Sequence, residues 1–447
     1  MGKTTLDKST GEWAFRPCRA PDDLVSAILE AGAWTDRIPT LKGISETAFL
    51  RPDGTLAASQ GFDRQTGYFL APTSTVLDVA DRPTQADAAE ALAELEEVFA
   101  DFPYVDRSHA MVPIAAILTL LARPAIEGSV PGFIADASTR GSGKSLQTDA
   151  ISTIGIGRST AKMSWPPDAT ELEKVLSAYA LRGAVCVNFD NVSSGFGGAP
   201  LDKCLTAVDT VELRVLGKSE VPAVAWRAVI LATGNNVEIL GDTTRRVLVS
   251  RVESPLENPE DRTDFRHPDL LAWVRDNRPR LVRAALTILR GFVAAGRPSQ
   301  GLRAWGSFEA WSALVPTAIV WAGGADVMAC RPEAGTSIEP EKAALLAVLE
   351  HWPTLTGGVP TTTKRALAAL YPAKSPGERL PPDGFDDLRD ALESVTNAKP
   401  GFAPSPKSVG YFLARVCGRW AEGKRLARRD DRKGFTEWRV ETRKVGQ

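Results

Sequence analysis

The chain has 447 residues, 43% hydrophobic and 24% charged, an ordinary globular composition with material for about two to four domains. The formal net charge of −2, from 53 Lys/Arg against 55 Asp/Glu, gives no sign of a nucleic-acid binder as an average. It conceals an asymmetry, because Gly401–Gln447 carries 12 Lys/Arg against 5 Asp/Glu, and that end is built to meet something acidic. Five cysteines without a C-x-x-C pair and only three histidines exclude a disulfide framework or zinc-finger spacing and weaken any metal-hydrolase or triad reading.

In chain order, residues 1–80 combine a helical stretch, Pro21–Gly32, with strand-like pieces. Ala48–Leu50 and Thr55–Ala58 flank the turn Arg51-Pro52-Asp53-Gly54 and read as a hairpin; a second pair is expected around Asp63–Gly67 and Tyr68–Leu70. From Thr84 the apolar residues Ala88, Ala89, Leu92, Leu95 and Val98 recur at helical spacing behind an N-cap signal at Thr84 and Asp87. Arg107–Leu121 predicts a buried helix, and its apolar run Met111–Leu121 falls short of a bilayer span.

Between Gly132 and Val252 the pattern changes. Gly132–Ala137, Ala184–Phe189, Ala228–Thr233 and Arg246–Val252 are short apolar runs separated by helices or turns, the signature of a parallel sheet buried on both faces. Residues 268–350 read almost wholly helical, including Leu270–Val274 and Arg280–Val293, and Pro353–Thr363 reads as a linker.

The strongest local signal follows the first apolar run: Ser138-Thr139-Arg140-Gly141-Ser142-Gly143-Lys144-Ser145, then Leu146 and a helix to Ile154. Strand, glycine-bearing turn and helix opening on Gly-Lys-Ser form a phosphate loop, whose glycines let backbone N–H groups close around phosphate oxygens. Lys144 would reach the β- and γ-phosphates, and the Ser145 hydroxyl would hold Mg²⁺. Ser138 stands where such loops usually begin with glycine. A second Gly-Lys-Ser, Gly217-Lys218-Ser219, precedes Val221-Pro222, which cannot open a helix, and reads as a hairpin tip.

Three features follow in order. Ala184–Phe189 ends in Asp190-Asn191, and Asp190 would hold the Mg²⁺ shell. Ala228–Thr233 leads to Gly234-Asn235-Asn236, amides suited to orienting an attacking water. Asp242-Thr243-Thr244-Arg245-Arg246 offers cations that could meet the charge developing at a neighbouring subunit's γ-phosphate.

In this order the motifs resemble the superfamily 3 helicases of viruses, phages and mobile elements, AAA+-type ring ATPases, and most closely the replication ATPases of phages and integrative elements. Arg51–Thr55, Val215–Glu220, Ala232–Asn236 and Phe265–Leu270 also look family-like. The resemblance implies ATP and Mg²⁺ as cofactors and a homo-oligomeric ring, a hexamer, on single-stranded DNA. Lys218, with Arg214, would sit on a pore hairpin gripping DNA; Asn235 or Asn236 would be the polar sensor, and Arg245 or Arg246 the finger. Many relatives end this strand with two acidic residues; Asn191 cannot act as a base, so Asp190 acts alone or another carboxylate helps. A primase activity is not expected.

Residues 361–447 suggest a winged helix: helices over Thr361–Tyr371, Phe385–Val395 and Ser405–Trp420, then a hairpin from Lys424–Ala427 and Phe435–Val440. Ser405-Pro406 is a good helix start. Lys407, Arg415 and Arg419 on its last helix, with Arg428, Arg429, Arg432 and Lys433 on the wing, would contact DNA.

The expectation is therefore an α/β P-loop NTPase with an AAA+-like core, helical N-terminal and post-core regions and a C-terminal winged helix. Residues 1–125 would form a collar or oligomerisation region, 126–265 the motor, 266–352 a helical extension and 355–447 the DNA-binding module. No signal peptide is visible, which predicts a cytoplasmic protein without a membrane partner. The competing expectations are an ATP-regulated origin-binding or loader-type switch, and a DNA-binding structural protein with a vestigial nucleotide site.

Overall fold

The structure, a computed structural model, describes residues 2–442 apart from 7–8, 10, 18, 31–38, 74–77, 140, 193–194, 214–222, 255–261, 333–339, 373–383, 397, 400, 419 and 431–435. Two compact units emerge. The first comprises Met1–Ser193, Lys203–Asn236 and Leu248–Cys330; the second comprises Ser194–Asp202, Val237–Val247 and Arg331–Gln447.

In the first unit, Phe49–Leu50 pairs antiparallel with Leu56–Ala57, and Gly61–Asp63 with Tyr68–Leu70, as the turn residues predict. Helix α1 (Gln85–Val98) opens on a complete capping box between Thr84 and Asp87, which fixes its start. Helix α2 (Arg107–Ala122) runs into a short 3₁₀ turn, giving 19 residues that contain an 18-residue window of mean hydropathy 1.3, long and apolar enough to cross a membrane. That is longer than the apolar run suggests. Its apolar face is nevertheless used inside the unit: Met111, Ile114, Ala115, Ile117 and Leu118 are fully buried.

The central sheet holds β1 (Gly132–Ala137), β2 (Lys162–Ser164), β3 (Cys186–Val192), β4 (Val229–Asn235) and β5 (Val247–Val252) in the order β5-β1-β4-β3-β2. The pairs β1–β4, β4–β3 and β3–β2 are parallel. β1 is buried along its whole length, and β4 is buried through Gly234, whereas edge strand β2 is half exposed. Burial on both faces selects Val, Ile, Leu, Phe and Ala, which is why these runs are continuous and not alternating. Consecutive parallel strands require crossovers, supplied here by α3 (Lys144–Ile156) and α4 (Ala169–Leu181).

The two apolar stretches after Pro268 form one helix, α5 (Leu270–Ala294), which passes through Pro279. Leu281, Val282, Ala285, Leu286, Ile288 and Leu289 are fully buried and belong to the core shared with α1, α2 and α3. Packing thus overrides the break that proline favours. Arg278, also buried, donates from Nε to Thr153 O at 2.9 Å, at the C-terminal turn of α3 where a cation is stabilised by the helix dipole. Helix α6 (Glu309–Trp321) contributes Trp311, whose indole N–H donates to Thr119 Oγ1 at 2.8 Å.

In the second unit, α7 (Pro340–Thr356) continues through Pro353 where composition reads as linker, ending at Gly357 and Gly358, both in the left-handed region. Trp352 explains the difference: it is buried in the core of this unit with Leu345, Val348 and Leu349. Helices α8 (Thr363–Leu370), α9 (Asp386–Thr396) and α10 (Pro406–Val416) follow, with Ser405 capping α10 as its sequence predicts. An antiparallel sheet is ordered β6 (Thr361–Thr362), β9 (Thr436–Thr442), β8 (Lys424–Asp430) and β7 (Trp420–Ala421).

Candidate functional site

In a parallel sheet of this kind ligands gather outside the carboxyl ends of the strands, and the described motif residues of the first unit converge there. β1 ends at Ala137, and Gly141 and Gly143 adopt φ of +73° and +79°, a conformation glycine enters without steric cost. Gly143 meets a second demand, since a Cβ there would lie 2.9 Å from Phe102 Cε1. α3 then begins at Lys144 without a side-chain cap, and its first ladder bond runs from Gln147 N to Gly143 O at 3.0 Å. The amides before Gln147 stand outside that ladder and are available to an anion.

The loop side chains converge on one carbonyl. Ser142 Oγ donates to Thr139 O at 2.7 Å, and Lys144 Nζ donates to the same oxygen at 2.9 Å. Phosphate oxygens would compete for both donors. Burial lowers the Lys144 pKa from the usual lysine value; Asp136 opposes that shift and Arg251 reinforces it. Ser138 is exposed and Leu146 half-buried.

Behind the loop, three elements meet at one carboxylate. Ser145 Oγ of α3 donates to Asp190 Oδ1 of β3 at 2.7 Å, and Thr233 Oγ1 of β4 donates to the same oxygen at 2.8 Å. Thr233 Oγ1 in turn accepts the Asn191 N–H at 2.9 Å. The register of β3 on β4 shifts between Phe189 and Val192, so a bulge sits under Asp190 and Asn191 and re-aims the strand end. Asn191 has φ +55°, a conformation for which asparagine is enriched several-fold among non-glycine residues. The asparagine that cannot serve as a base therefore has a backbone reason to be there.

The two amides after β4 differ. Asn236 donates its N–H to Ala137 O at 3.0 Å, and its Oδ1 accepts from Arg251 Nη2 at 2.9 Å. Arg251 also pairs with Asp136 and, at 3.4 Å, with Glu253. Asn235 Oδ1 is buried and has no hydrogen-bond partner among the described residues, leaving an acceptor unmet beside the carboxylate strand.

The residues present fit Mg²⁺. No group of three His, Cys, Asp or Glu among the described residues could hold a metal by itself. A serine hydroxyl beside one carboxylate is the donor set for an ion that keeps waters and takes phosphate oxygens as its other ligands.

Arg245 and Arg246 belong to the second unit. Arg246 pairs with Asp202 at 2.7 Å and Asp242 at 3.3 Å, its side chain 18% exposed; Arg245 pairs with Asp242 at 2.8 Å and is 68% exposed. Also in this unit, Lys407, Arg428 and Arg429 are exposed. Lys407 Nζ lies 5.9 Å from the ring centre of Tyr411, itself 66% exposed.

Arg140, Arg214, Lys218, Arg419, Arg432 and Lys433, together with the side chain of Arg415, lie outside the described residues. The strands flanking the second Gly-Lys-Ser, Thr210–Glu212 and Ala223–Ala225, pair antiparallel, as a hairpin stem does. Sequence reasoning missed Thr233, Asp136, Arg251 and Phe102. Thr233, Asp136 and Arg251 stand at or next to the end of a recognised strand, so their positions carried a signal; Phe102 joins the site only through the fold.

No family model matches the chain, and no curated protein matches it. Solved structures overlap it loosely. The C-terminal region of NrS-1, in its A-form apo structure, has a TM-score of 0.37 at 12% identity, covering 96% of this chain and 91% of that one. SCCmec type IV Cch, described as an active helicase, has a TM-score of 0.34 at 13% identity, covering 94% and 82%. The JCV helicase, bound to a small molecule, has a TM-score of 0.23 at 12% identity, covering 54% of this chain and 68% of that one. Overlap this loose leaves the assignment of function to the geometry of the site.

Proposed function

We propose that the chain is an ATP-dependent DNA helicase or replication ATPase, of the superfamily 3, AAA+-type kind carried by phages and integrative elements, working as a hexameric ring on single-stranded DNA. The observation that carries the reading is the 2.7 Å bond between Ser145 Oγ and Asp190 Oδ1 at the uncapped N-terminus that Lys144 opens. Hydroxyl, carboxylate and ammonium are the parts a triphosphate and its cation require, and they come from the start of α3 and from β3.

In this reading the loop amides and Lys144 bind the phosphates, Lys144 releasing Thr139 O to do so. Ser145 and Asp190 would hold Mg²⁺, which would supply charge neutralisation at the triphosphate. Thr233 keeps Asp190 oriented. Asn235, with its unmet acceptor, positions the attacking water, while Asn236 is committed to Arg251. Of the two arginines, Arg245 is the better finger for a neighbouring subunit, because Arg246 is held by two carboxylates and Arg245 is exposed. Residues 1–125 serve as collar, 126–265 as motor and 266–352 as extension. Residues 355–447 form a winged helix that meets DNA through Lys407, Arg428 and Arg429, and Lys218 grips the strand in the pore.

Lys144→Ala should abolish unwinding of a forked duplex. Unwinding that survives the substitution contradicts the motor assignment. A second reading, an ATP-controlled origin-binding or loader switch, is favoured by Asn191 standing in place of a second acidic residue; turnover unchanged by single-stranded DNA would support it over a motor.

A further inference from the structure

We propose that the cavity beside the phosphate loop seats the purine base of the nucleotide, with Phe265 as its stacking platform and Phe102 as a second aromatic wall. The inference rests on the reading of residues 141–145 as a phosphate loop.

The cavity measures about 590 Å³ and is bordered by Gly141, Ser142 and Gly143. This volume is that of an ordinary small-molecule site. Because the same glycines edge both cavity and loop, a ligand whose phosphates occupy the loop amides must extend its nucleoside from there. Leu146, Pro268 and Leu270 add apolar wall for a stacked base, beside the charged Asp101, Arg262 and Asp264.

Both rings are held in place. Phe102 lies between Phe99 and Tyr104, with ring centres 6.1 and 6.0 Å away, and packs against Gly143. Phe265 is 40% exposed, so core burial does not account for it. The Arg262 guanidinium covers it at 4.7 Å from the ring centre. Arg262 is itself braced, donating to Asp101 O at 2.6 Å and to Asp264 Oδ1 at 2.8 Å. Asp101 Oδ2 accepts the Arg266 N–H at 2.7 Å. An exposed aromatic ring fixed by an arginine is a preorganised platform, since a base stacked on it orders no further side chain.

The test compares ATP with inorganic tripolyphosphate, both with Mg²⁺, by titration calorimetry on the full chain. Phe265→Ala should weaken ATP binding about tenfold and leave tripolyphosphate binding unchanged, and Phe265→Trp should restore ATP affinity. Unchanged ATP affinity in Phe265→Ala, or equal weakening of both ligands, would overturn the base site while leaving the phosphate loop standing. If the wild-type chain bound neither ligand, the phosphate-loop reading and this inference would fall together.

Discussion

The carboxyl edge of the parallel sheet and the basic antiparallel sheet near the C-terminus are the two regions assigned to ligands, and they are built on opposite principles. At the first, few polar groups are present and they hold one another: Asp190 Oδ1 takes both the Ser145 and the Thr233 hydroxyl. At the second, Arg428 and Arg429 lie exposed on β8, within a segment whose feature is summed charge. A site of interlocked donors depends on each atom's position. A charged surface depends on the number of cations and the salt around it.

The comparison makes graded predictions. Asp190→Asn keeps the shape but removes the charge facing Ser145, so ATP turnover should fall about 100-fold in a steady-state phosphate-release assay. A fall of less than about threefold would show that the carboxylate is not in the reacting shell. Gly143→Ala combines a left-handed backbone with the 2.9 Å approach of Phe102, and should cost about 2 kcal/mol of stability, read as a lowered denaturant midpoint. An unchanged midpoint would mean that the loop tolerates rearrangement and is not preorganised. Replacing Arg428 and Arg429 by glutamine should weaken duplex DNA binding and lower the slope of log affinity against log salt by about 2, with ATP turnover in the absence of DNA unaltered. An abrupt loss of all binding would contradict the additive picture of the basic sheet.

The two regions were also unequally legible in sequence. Continuous apolar runs placed the ends of β1, β3, β4 and β5 to within three residues, because burial on both faces leaves little choice of residue type. The order of motifs along the chain picked out Ser145 and Asp190, which the fold joins by a hydrogen bond. Phe102 was not legible, since it reaches the site across a long sequence separation that no local pattern encodes. Pro353 misleads in composition: it reads as the start of a linker, and it lies in a helix carried through by the buried neighbour Trp352. Asn191 looked like a defect in an acidic pair until its φ of +55° gave the residue a backbone role.

The most direct test of the nucleotide site as a motor's engine is ATP turnover by the wild-type chain and by Lys144→Ala, with and without single-stranded DNA. Turnover should be measurable in the wild type, rise when single-stranded DNA is added, and fall at least about 100-fold in the variant under both conditions. Wild-type turnover that the lysine substitution leaves intact would contradict the account.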